Sequence, residues 1–193
     1  YQQMTIMAQG IVEINHDTVY GVESLINPNL FLQPTANTLC NTEMKEFAKR
    51  HVPCLTRKYL IVLSEAILNH IPYVADQTSV LTSAIDAFQN QQGVCQDHSH
   101  VMIAMCKYLG LPARYVSGYL FVPNTSHLAS HAWAEVFLEN AWYCFDTSNQ
   151  LFSPNSHIYV AIGRDYWDVA PIRGVRERGG VESMHSIVQV LAC

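Results

Sequence analysis

The sequence predicts an α+β fold, with helices in the first part of the chain and an antiparallel sheet after them. Between residues 42 and 109, apolar side chains recur at helical spacing. Beyond residue 113, segments rich in β-branched and aromatic side chains take over. The polar pair Glu139-Asn140 separates two of these segments and is typical of a tight hairpin turn. The 193 residues suffice for one domain with a sizeable core.

Four helices are predicted before residue 110. Thr42 is expected to cap the first, because a threonine side chain can accept a hydrogen bond from the first turn of a helix. Pro72 marks the end of the second, and Gly110 followed by Pro112 marks the end of the fourth. In order, the expected helices cover residues 42–50, 57–70, 79–91 and 95–109.

Strands are predicted in the second half of the chain. They are expected at residues 113–122, 130–138, 141–146, 157–162 and 184–192. A turn that sets Leu138 opposite Ala141 fixes the register of the second and third strands. His131 then falls opposite Ser148, and Asp146 becomes its diagonal neighbour on the same face of the sheet.

Cys95 stands at the expected start of the fourth helix. The first turn of a helix leaves backbone N–H groups unpaired and carries the positive end of the helix dipole, which favours a thiolate over a thiol. Such a nucleophile needs a base and a group that orients the base. His131, at the start of one strand, and Asp146, at the end of the next, supply both residue types. The sequence therefore predicts a cysteine-nucleophile triad, with the backbone N–H of Cys95 as a candidate donor to an oxyanion.

Each of these residues also has a purely structural interpretation. A cysteine is most often a buried thiol in the core. A lone histidine is most often a hydrogen-bonded structural residue, and an aspartate at a strand end is typical of turns. A metal site is a further alternative, although the sequence has no CxxC or HExxH pattern. Its candidate ligands are Cys95, His98, His100, Cys106, His131 and Cys144.

Five segments of the chain carry a resemblance to a known family. They are Gly93-Val94-Cys95-Gln96-Asp97, the stretch GLPARYVSGY at 110–119, His131-Ala132-Trp133, Phe145-Asp146, and the stretch VAIGRDY at 160–166. Together they resemble the bacterial transglutaminase-like family, whose members are often described as candidate cysteine proteases. The resemblance covers about residues 42–190. In one departure, many relatives follow the aspartate with Pro-Thr-Asn, whereas this chain has Thr147-Ser148-Asn149.

The resemblance implies a transglutaminase-core, papain-like fold, with the Cys95 helix packed on an antiparallel sheet. It implies that Cys95 is the nucleophile, His131 the general base and Asp146 the residue that orients the imidazole. The implied activity is acyl transfer on amide or peptide bonds. The enzyme would be a peptidase or amidase if water completes the reaction, and a transglutaminase if an amine does. The alternative function is a non-catalytic peptide-binding module on the same scaffold.

Two parts of the chain are distinguished by the resemblance. Residues 1–40 are expected to be the remnant of an N-terminal β-rich domain, because residues 10–17 and 18–22 alternate as strands do. Residues 41–193 are expected to form the transglutaminase-like catalytic domain. Within it, an ion pair of Arg164 with Asp165 or Asp168 is expected to pin the segment that contains them.

Composition and charge narrow the classes of partner. Hydrophobic residues make up 49% and charged residues 14% of the chain, as in a folded globular protein. The net charge of -5 leaves no basic stripe for a nucleic acid. No apolar run approaches the ~20 residues that span a bilayer. We therefore expect a peptide or protein substrate, no nucleic-acid partner and no membrane partner.

The cysteines and acidic residues suggest the compartment and the cofactors. The 6 cysteines are scattered without short paired spacings, and no leader of charged then apolar residues opens the chain, so we expect a reducing, cytoplasmic location. An acidic cluster of the calcium-loop type is absent from the sequence. We expect no metal and no other cofactor. The oligomeric state is left open.

Overall fold

The computed structural model of the chain describes residues 5–14, 17, 20–21, 25–75, 77–122, 130–170 and 187–190. These residues form five α-helices and four β-strands, preceded by 3-10 helices at Pro28–Leu32 and Ala36–Thr38. The α-helices are α1 (Thr42–His51), α2 (Arg57–His70), α3 (Ala84–Asn90), α4 (Cys95–Tyr108) and α5 (Tyr166–Val169). The strands are β1 (Ala113–Leu120), β2 (His131–Leu138), β3 (Ala141–Phe145) and β4 (His157–Gly163).

The four strands form one antiparallel sheet in the order β3-β2-β1-β4. The helix α4 packs against β1 and β2 of this sheet and also contacts α1, α2 and α3. The predicted α+β fold, with helices packed on an antiparallel sheet, is therefore confirmed. None of the helices in the described ranges is long and apolar enough to cross a lipid bilayer.

The helix α4 lies in the centre of the core and is buried from Asp97 to Lys107. Its apolar side chains belong to a cluster of buried residues contributed by the other helices and by the sheet. Among the members of this cluster are Leu60, Leu63, Ile67, Phe88, Val101, Met102, Met105, Ala134 and Val136. Protein interiors are close-packed, so a shift of this helix would open cavities. The core therefore fixes the position of Cys95, the first residue of α4.

The first turns of two helices differ from the prediction. Asn41 is the N-cap of α1, because its side chain accepts a hydrogen bond from the backbone N–H of Met44 at 2.9 Å. Thr42 is therefore the first helical residue and not the cap. The helix α3 begins at Ala84, later than predicted, because Ser83 and Asp86 form a capping box there.

The hairpin of β2 and β3 has the predicted register, with Leu138 opposite Ala141. Glu139 and Asn140 make the turn, with φ angles of 51° and 64°. Positive φ at both central residues is what a two-residue hairpin turn of the commonest type requires. The turn therefore sets which residues face each other along the two strands.

The pairing of β1 with β4 brings the start of β4 to the end of β1. The register shifts between Ser117 and Gly118. A Cβ atom at Gly118 would lie 1.9 Å from the carbonyl oxygen of Ile158, so this close approach of the strands requires glycine. Beyond the shift, His157 at the start of β4 lies opposite Leu120 of β1.

The largest differences from the predicted strands lie at residues 10–22, at the end of β1 and at residues 184–192. Residues 10–14 form no strand, since an extended segment becomes one only by pairing with another. The remainder of the predicted pair at 10–22 lies partly outside the described residues. Strand β1 ends at Leu120 and not at residue 122. Of the segment 184–192, the described residues 187–190 contain a single bridge position at Val188, and the others lie outside the described residues.

Candidate active site

A cleft of about 290 Å³ opens at the start of α4. Cys95 lines it together with His131, the first residue of β2. The other described lining residues are Tyr73, Leu120, Val122, Ser130, Ser148 and Asn149. Cys95 is only partly buried, whereas Cys106 on the same helix is fully buried in the core. Two residues of the predicted triad therefore meet at one cleft.

The imidazole of His131 lies between Cys95 and Asp146. Its Nε2 lies 2.7 Å from Oδ2 of Asp146, and the ring lines the same cleft as Cys95, which contributes to raising its pKa. Because Nε2 is hydrogen-bonded to the Asp146 carboxylate, Nδ1 is the ring nitrogen available to the Cys95 sulfur. A carboxylate accepts only, so Nε2 carries a proton and Nδ1 is free to exchange one with the thiol.

The pKa of His131 reflects two opposing effects. Burial of the ring lowers the pKa, because it disfavours the charged form. Hydrogen bonds and charge interactions with Asp146 and Cys95 outweigh burial and raise the pKa from 6.5 to about 9. The site therefore stabilises the imidazolium form of His131.

Asp146 is fully buried and is held by several donors. Oδ2 accepts from Nε2 of His131, from Nε2 of His157 at 3.1 Å and from Nδ2 of Asn149 at 3.0 Å. Oδ1 accepts from the backbone N–H of Asn149 at 3.2 Å. Burial would raise the pKa of this carboxyl, but these hydrogen bonds hold the pKa well below its usual range. Asp146 is therefore an ionised group in a fixed orientation.

The turn after Asp146 is closed by backbone and side-chain hydrogen bonds. The backbones of Asp146 and Leu151 bond each other twice, at 2.9 and 3.1 Å. Thr147, which stands where many relatives have proline, accepts a hydrogen bond at 2.9 Å from the hydroxyl of Ser64 on α2. The departure from the family pattern therefore leaves an ordered turn that is bonded to the helical layer.

His98 joins this turn to α4. Its Nε2 lies 2.8 Å from the carbonyl oxygen of Ile71, and its Nδ1 lies 2.8 Å from the hydroxyl of Ser148. Burial lowers the pKa of His98, so the ring is neutral. A carbonyl only accepts, so Nε2 donates to Ile71 and Nδ1 accepts from Ser148. Both ring nitrogens of His98 are thus used within the protein.

Hydrogen bonds to Asp97 connect the segment before α3 with the start of α4. Its Oδ2 accepts from the backbone N–H of Val94 at 2.8 Å and from the hydroxyl of Thr78 at 2.6 Å. Gln96 adds a hydrogen bond to the carbonyl oxygen of Ser79 at 3.3 Å. These contacts hold the backbone on both sides of Cys95.

Of the metal ligands considered from the sequence, Cys95 and His131 meet at the cleft, but no three of the six come together among the described residues. His98 has no free ring nitrogen, and Nε2 of His100 accepts from the backbone N–H of Tyr166 at 3.2 Å. Among the described residues, the one group of three ligand atoms is that of His131, Asp146 and His157, within 4.8 Å of one another. Both histidine nitrogens are hydrogen-bonded to Oδ2 of Asp146, so a metal ion there would replace those bonds and occupy the nitrogen that orients His131.

Two residues of the site were not predicted from the sequence. Asn149 lies three residues after Asp146, a spacing typical of side-chain to backbone bonding in turns, and this signal was available. His157 opens a predicted strand, but its approach to Asp146 depends on the pairing of that strand with β1. A separate prediction is confirmed, because Arg164 forms a two-bond ion pair with Asp168, at 2.8 and 3.1 Å.

Known proteins resemble this chain in sequence and in structure. Residues 56–147 match the family model of the transglutaminase-like superfamily. An uncharacterised protein of Mycobacterium leprae is 34% identical over 169 residues, which cover 82% of this chain and 59% of that protein. An uncharacterised protein of Mycobacterium tuberculosis is 34% identical over 125 residues, which cover 58% of this chain and 40% of that protein.

A solved structure also resembles this chain. The crystal structure of a candidate cysteine protease from Cytophaga hutchinsonii superposes with a TM-score of 0.64 at 30% identity, over 74% of this chain and 48% of that chain. The chain thus spans about half the length of the proteins it matches. The family that the motifs indicated is confirmed. Residues 56–147 of the chain therefore carry a domain of the transglutaminase-like superfamily.

Proposed function

We propose that the protein is a cysteine-dependent acyltransferase that acts on amide or peptide bonds through Cys95, His131 and Asp146. One observation carries the proposal: the imidazole of His131 lines the same cleft as Cys95 and is hydrogen-bonded on its other side to a buried, ionised Asp146. A nucleophile, a base and a group that orients the base are the parts that nucleophilic catalysis needs.

The reaction would proceed in two steps. The Cys95 sulfur gives its proton to Nδ1 of His131 and attacks the carbonyl carbon of the substrate, forming a C–S bond. The imidazolium then returns the proton to the leaving amine as the C–N bond breaks, which leaves a thioester. In the second step His131 removes a proton from water or from an amine, whose oxygen or nitrogen attacks the carbonyl carbon of the thioester. The C–S bond then breaks, the acid or the new amide leaves, and the imidazolium returns the proton to the Cys95 sulfur. Water gives hydrolysis, and an amine gives transamidation.

The start of α4 supports the proposal through its backbone. Cys95 is the first residue of α4, and the first N–H groups of a helix have no acceptor within the helix. They also lie at the positive end of the helix dipole. The backbone N–H of Cys95 is therefore suited to stabilise the oxyanion formed during attack.

A thiol-labelling experiment tests the nucleophile without a known substrate. Iodoacetamide should alkylate Cys95 at a lower pH than it alkylates Cys54, an exposed free cysteine in the segment between α1 and α2. Cys54→Ala provides the matched control, because it removes an ordinary thiol and leaves the cleft untouched. Equal pH profiles for the two thiols would contradict the proposal.

A screen of peptide and amine substrates with the full chain tests turnover and its type. Release of free acid would show hydrolysis, and incorporation of an added amine would show transamidation. The expected activity survives a chelator and is lost on alkylation of Cys95. Saturable peptide binding without turnover would favour the peptide-binding module instead.

The cysteines support a proposal about the compartment. The five cysteines among the described residues, Cys40, Cys54, Cys95, Cys106 and Cys144, are free thiols. Free thiols persist in reducing compartments, so we propose a cytoplasmic location. Cell fractionation, together with thiol counting on the native protein, tests it, and a disulfide in the isolated native protein would contradict it.

A further inference from the structure

Two histidines share one carboxylate oxygen in the buried part of the site. Oδ2 of Asp146 lies 2.7 Å from Nε2 of His131 and 3.1 Å from Nε2 of His157. The proposed reaction uses His131 and gives His157 no part. The His157 side chain is fully buried, so it does not reach the substrate.

The fold fixes the orientation of the His157 ring. His157 is the first residue of β4 and is paired with Leu120 of β1. Its backbone N–H donates to the carbonyl oxygen of Pro154 at 3.1 Å. The ring packs edge-to-face on Trp133, with the centroids 4.6 Å apart. Sheet pairing and aromatic packing therefore direct Nε2 at Asp146.

Hydrogen bonding shows which nitrogen of His157 acts as a donor. The ionised carboxylate of Asp146 only accepts, so Nε2 of His157 carries a proton. Among the described residues, no atom forms a hydrogen bond with the buried Nδ1 of His157. His157 therefore donates to Asp146 through Nε2 and makes no other side-chain hydrogen bond among the described residues.

We propose that His157 is a positioning residue that holds the Asp146 carboxylate in place and draws part of its negative charge away from His131. This inference rests on the proposed function, in which His131 is the base. Cys95 from α4 and Asp146 from the turn after β3 interact with His131, Glu135 from β2 interacts with His157, and His98 from α4 interacts with Asp146.

Two substitutions of His157 separate this role from simple packing. His157→Leu fills the space but removes the donor, and His157→Gln keeps an N–H near the position of Nε2. NMR titration of the His131 ring in the full chain provides the measurement. For His157→Leu, we expect the pKa of His131 to rise by roughly half a unit to one unit, because the carboxylate then directs more of its charge at the imidazolium. For His157→Gln, we expect a change of less than about 0.3 units.

The kinetic expectation follows from the same role. Once a substrate is known, His157→Leu should lower kcat by about tenfold and leave KM nearly unchanged, since only the base is displaced. His157→Gln should restore most of the rate. If His157 had only a packing role, its substitution would change the free energy of unfolding and would not shift the pKa of His131.

Controls make the result decisive. His51→Gln alters a histidine on α1 that bonds the carbonyl oxygen of Phe47, and it should leave the pKa of His131 unchanged. If His157→Leu does not fold, His157→Asn takes its place, because its shorter amide ends farther from Oδ2. An unchanged pKa of His131 in the donor-free variant, or an equal shift in His157→Gln, would overturn the proposal.

The titration also separates this inference from the proposed function. It does not depend on Cys95 being a nucleophile. A shifted pKa of His131 in a protein without turnover would support the role of His157 and contradict the proposed function. Turnover with an unshifted pKa of His131 would support the proposed function and contradict the role of His157.

Discussion

Two buried carboxylates lie on the same sheet and have different partners. Asp146, at the end of β3, accepts hydrogen bonds from His131, His157 and Asn149. Glu135, on β2, accepts from the guanidinium of Arg114 at 2.6 and 2.8 Å and from the hydroxyl of Tyr159 at 2.5 Å. Both carboxylates are fully buried, so burial alone does not distinguish them.

The partners decide what each carboxylate can do. Burial raises the pKa of Glu135 in spite of Arg114, whereas hydrogen bonds from the histidines outweigh burial at Asp146 and keep its pKa well below its usual range. An arginine side chain never gives up its proton in proteins, but an imidazole does so readily. The Arg114–Glu135 pair is therefore suited to hold the sheet, and the His131–Asp146 pair is suited to move protons.

The largest expected effect concerns turnover. Cys95→Ala should lower kcat by roughly 10⁴-fold or more. His131→Ala should have a comparable effect, and Asp146→Asn a milder one, because the base remains while its orientation is disturbed. Rates on a substrate found by the screen, with stability measured by urea unfolding, provide the test.

The control for this effect is the other carboxylate. Glu135→Gln should keep most of the activity at temperatures where it stays folded. A folded Glu135→Gln protein as inactive as Asp146→Asn would break the comparison between the two groups.

The second effect concerns stability. Arg114→Leu leaves the Glu135 carboxylate buried without its charged partner, and we expect a loss of about 3–5 kcal/mol in the free energy of unfolding. The matched control is Arg164→Leu, whose ion pair with Asp168 is partly exposed and should contribute about 1 kcal/mol or less. Urea unfolding of the variants measures both. Similar losses for the two pairs would show that the buried pair has no special role.

The third effect is a dependence of stability on pH. The pKa of His131 rises from 6.5 to about 9 on folding. The stabilisation is therefore fully present below pH 6.5 and is lost as the pH rises through 9. The interval between the two pKa values corresponds to roughly 3 kcal/mol. Urea unfolding at pH 6 and pH 10 measures the free energy of unfolding. The native protein should exceed His131→Gln in this free energy by more at pH 6 than at pH 10. A difference independent of pH would refute the prediction.

The smallest effect concerns the turn after Asp146. Ser148→Ala removes the hydroxyl that donates to Nδ1 of the buried His98, which should cost about 1–2 kcal/mol. Ser148→Thr keeps a hydroxyl and should cost less. Thermal unfolding of the two variants measures the difference, and equal losses would mean that the hydroxyl is not what holds the turn.

The sequence was sufficient where the signals were local. The helix beginning at Cys95 and the hairpin register followed from the spacing of apolar residues and from the two-residue turn. Because that register depends on the turn alone, the approach of His131 to Asp146 could be predicted. The order of the motifs along the chain also identified the family.

Contacts between distant segments could not be predicted in this way. His157 reaches Asp146 because β4 pairs with β1 through a shifted register, and no local pattern specifies which strand is the neighbour. His98 was considered as a metal ligand because the sequence does not show that Ile71 and Ser148 would take both of its nitrogens. These parts of the site depend on tertiary packing.

The close approach of β1 and β4 at Gly118 affects how a mutational scan of this protein would be interpreted. Every side chain at position 118 would collide with the carbonyl oxygen of Ile158, so all substitutions there should reduce the amount of folded protein. Substitutions of Cys95 should instead leave the amount unchanged and remove activity. Scored by activity alone, almost every substitution at either position would be harmful. A scan that scores abundance and activity separately would assign Gly118 to strand spacing and Cys95 to chemistry.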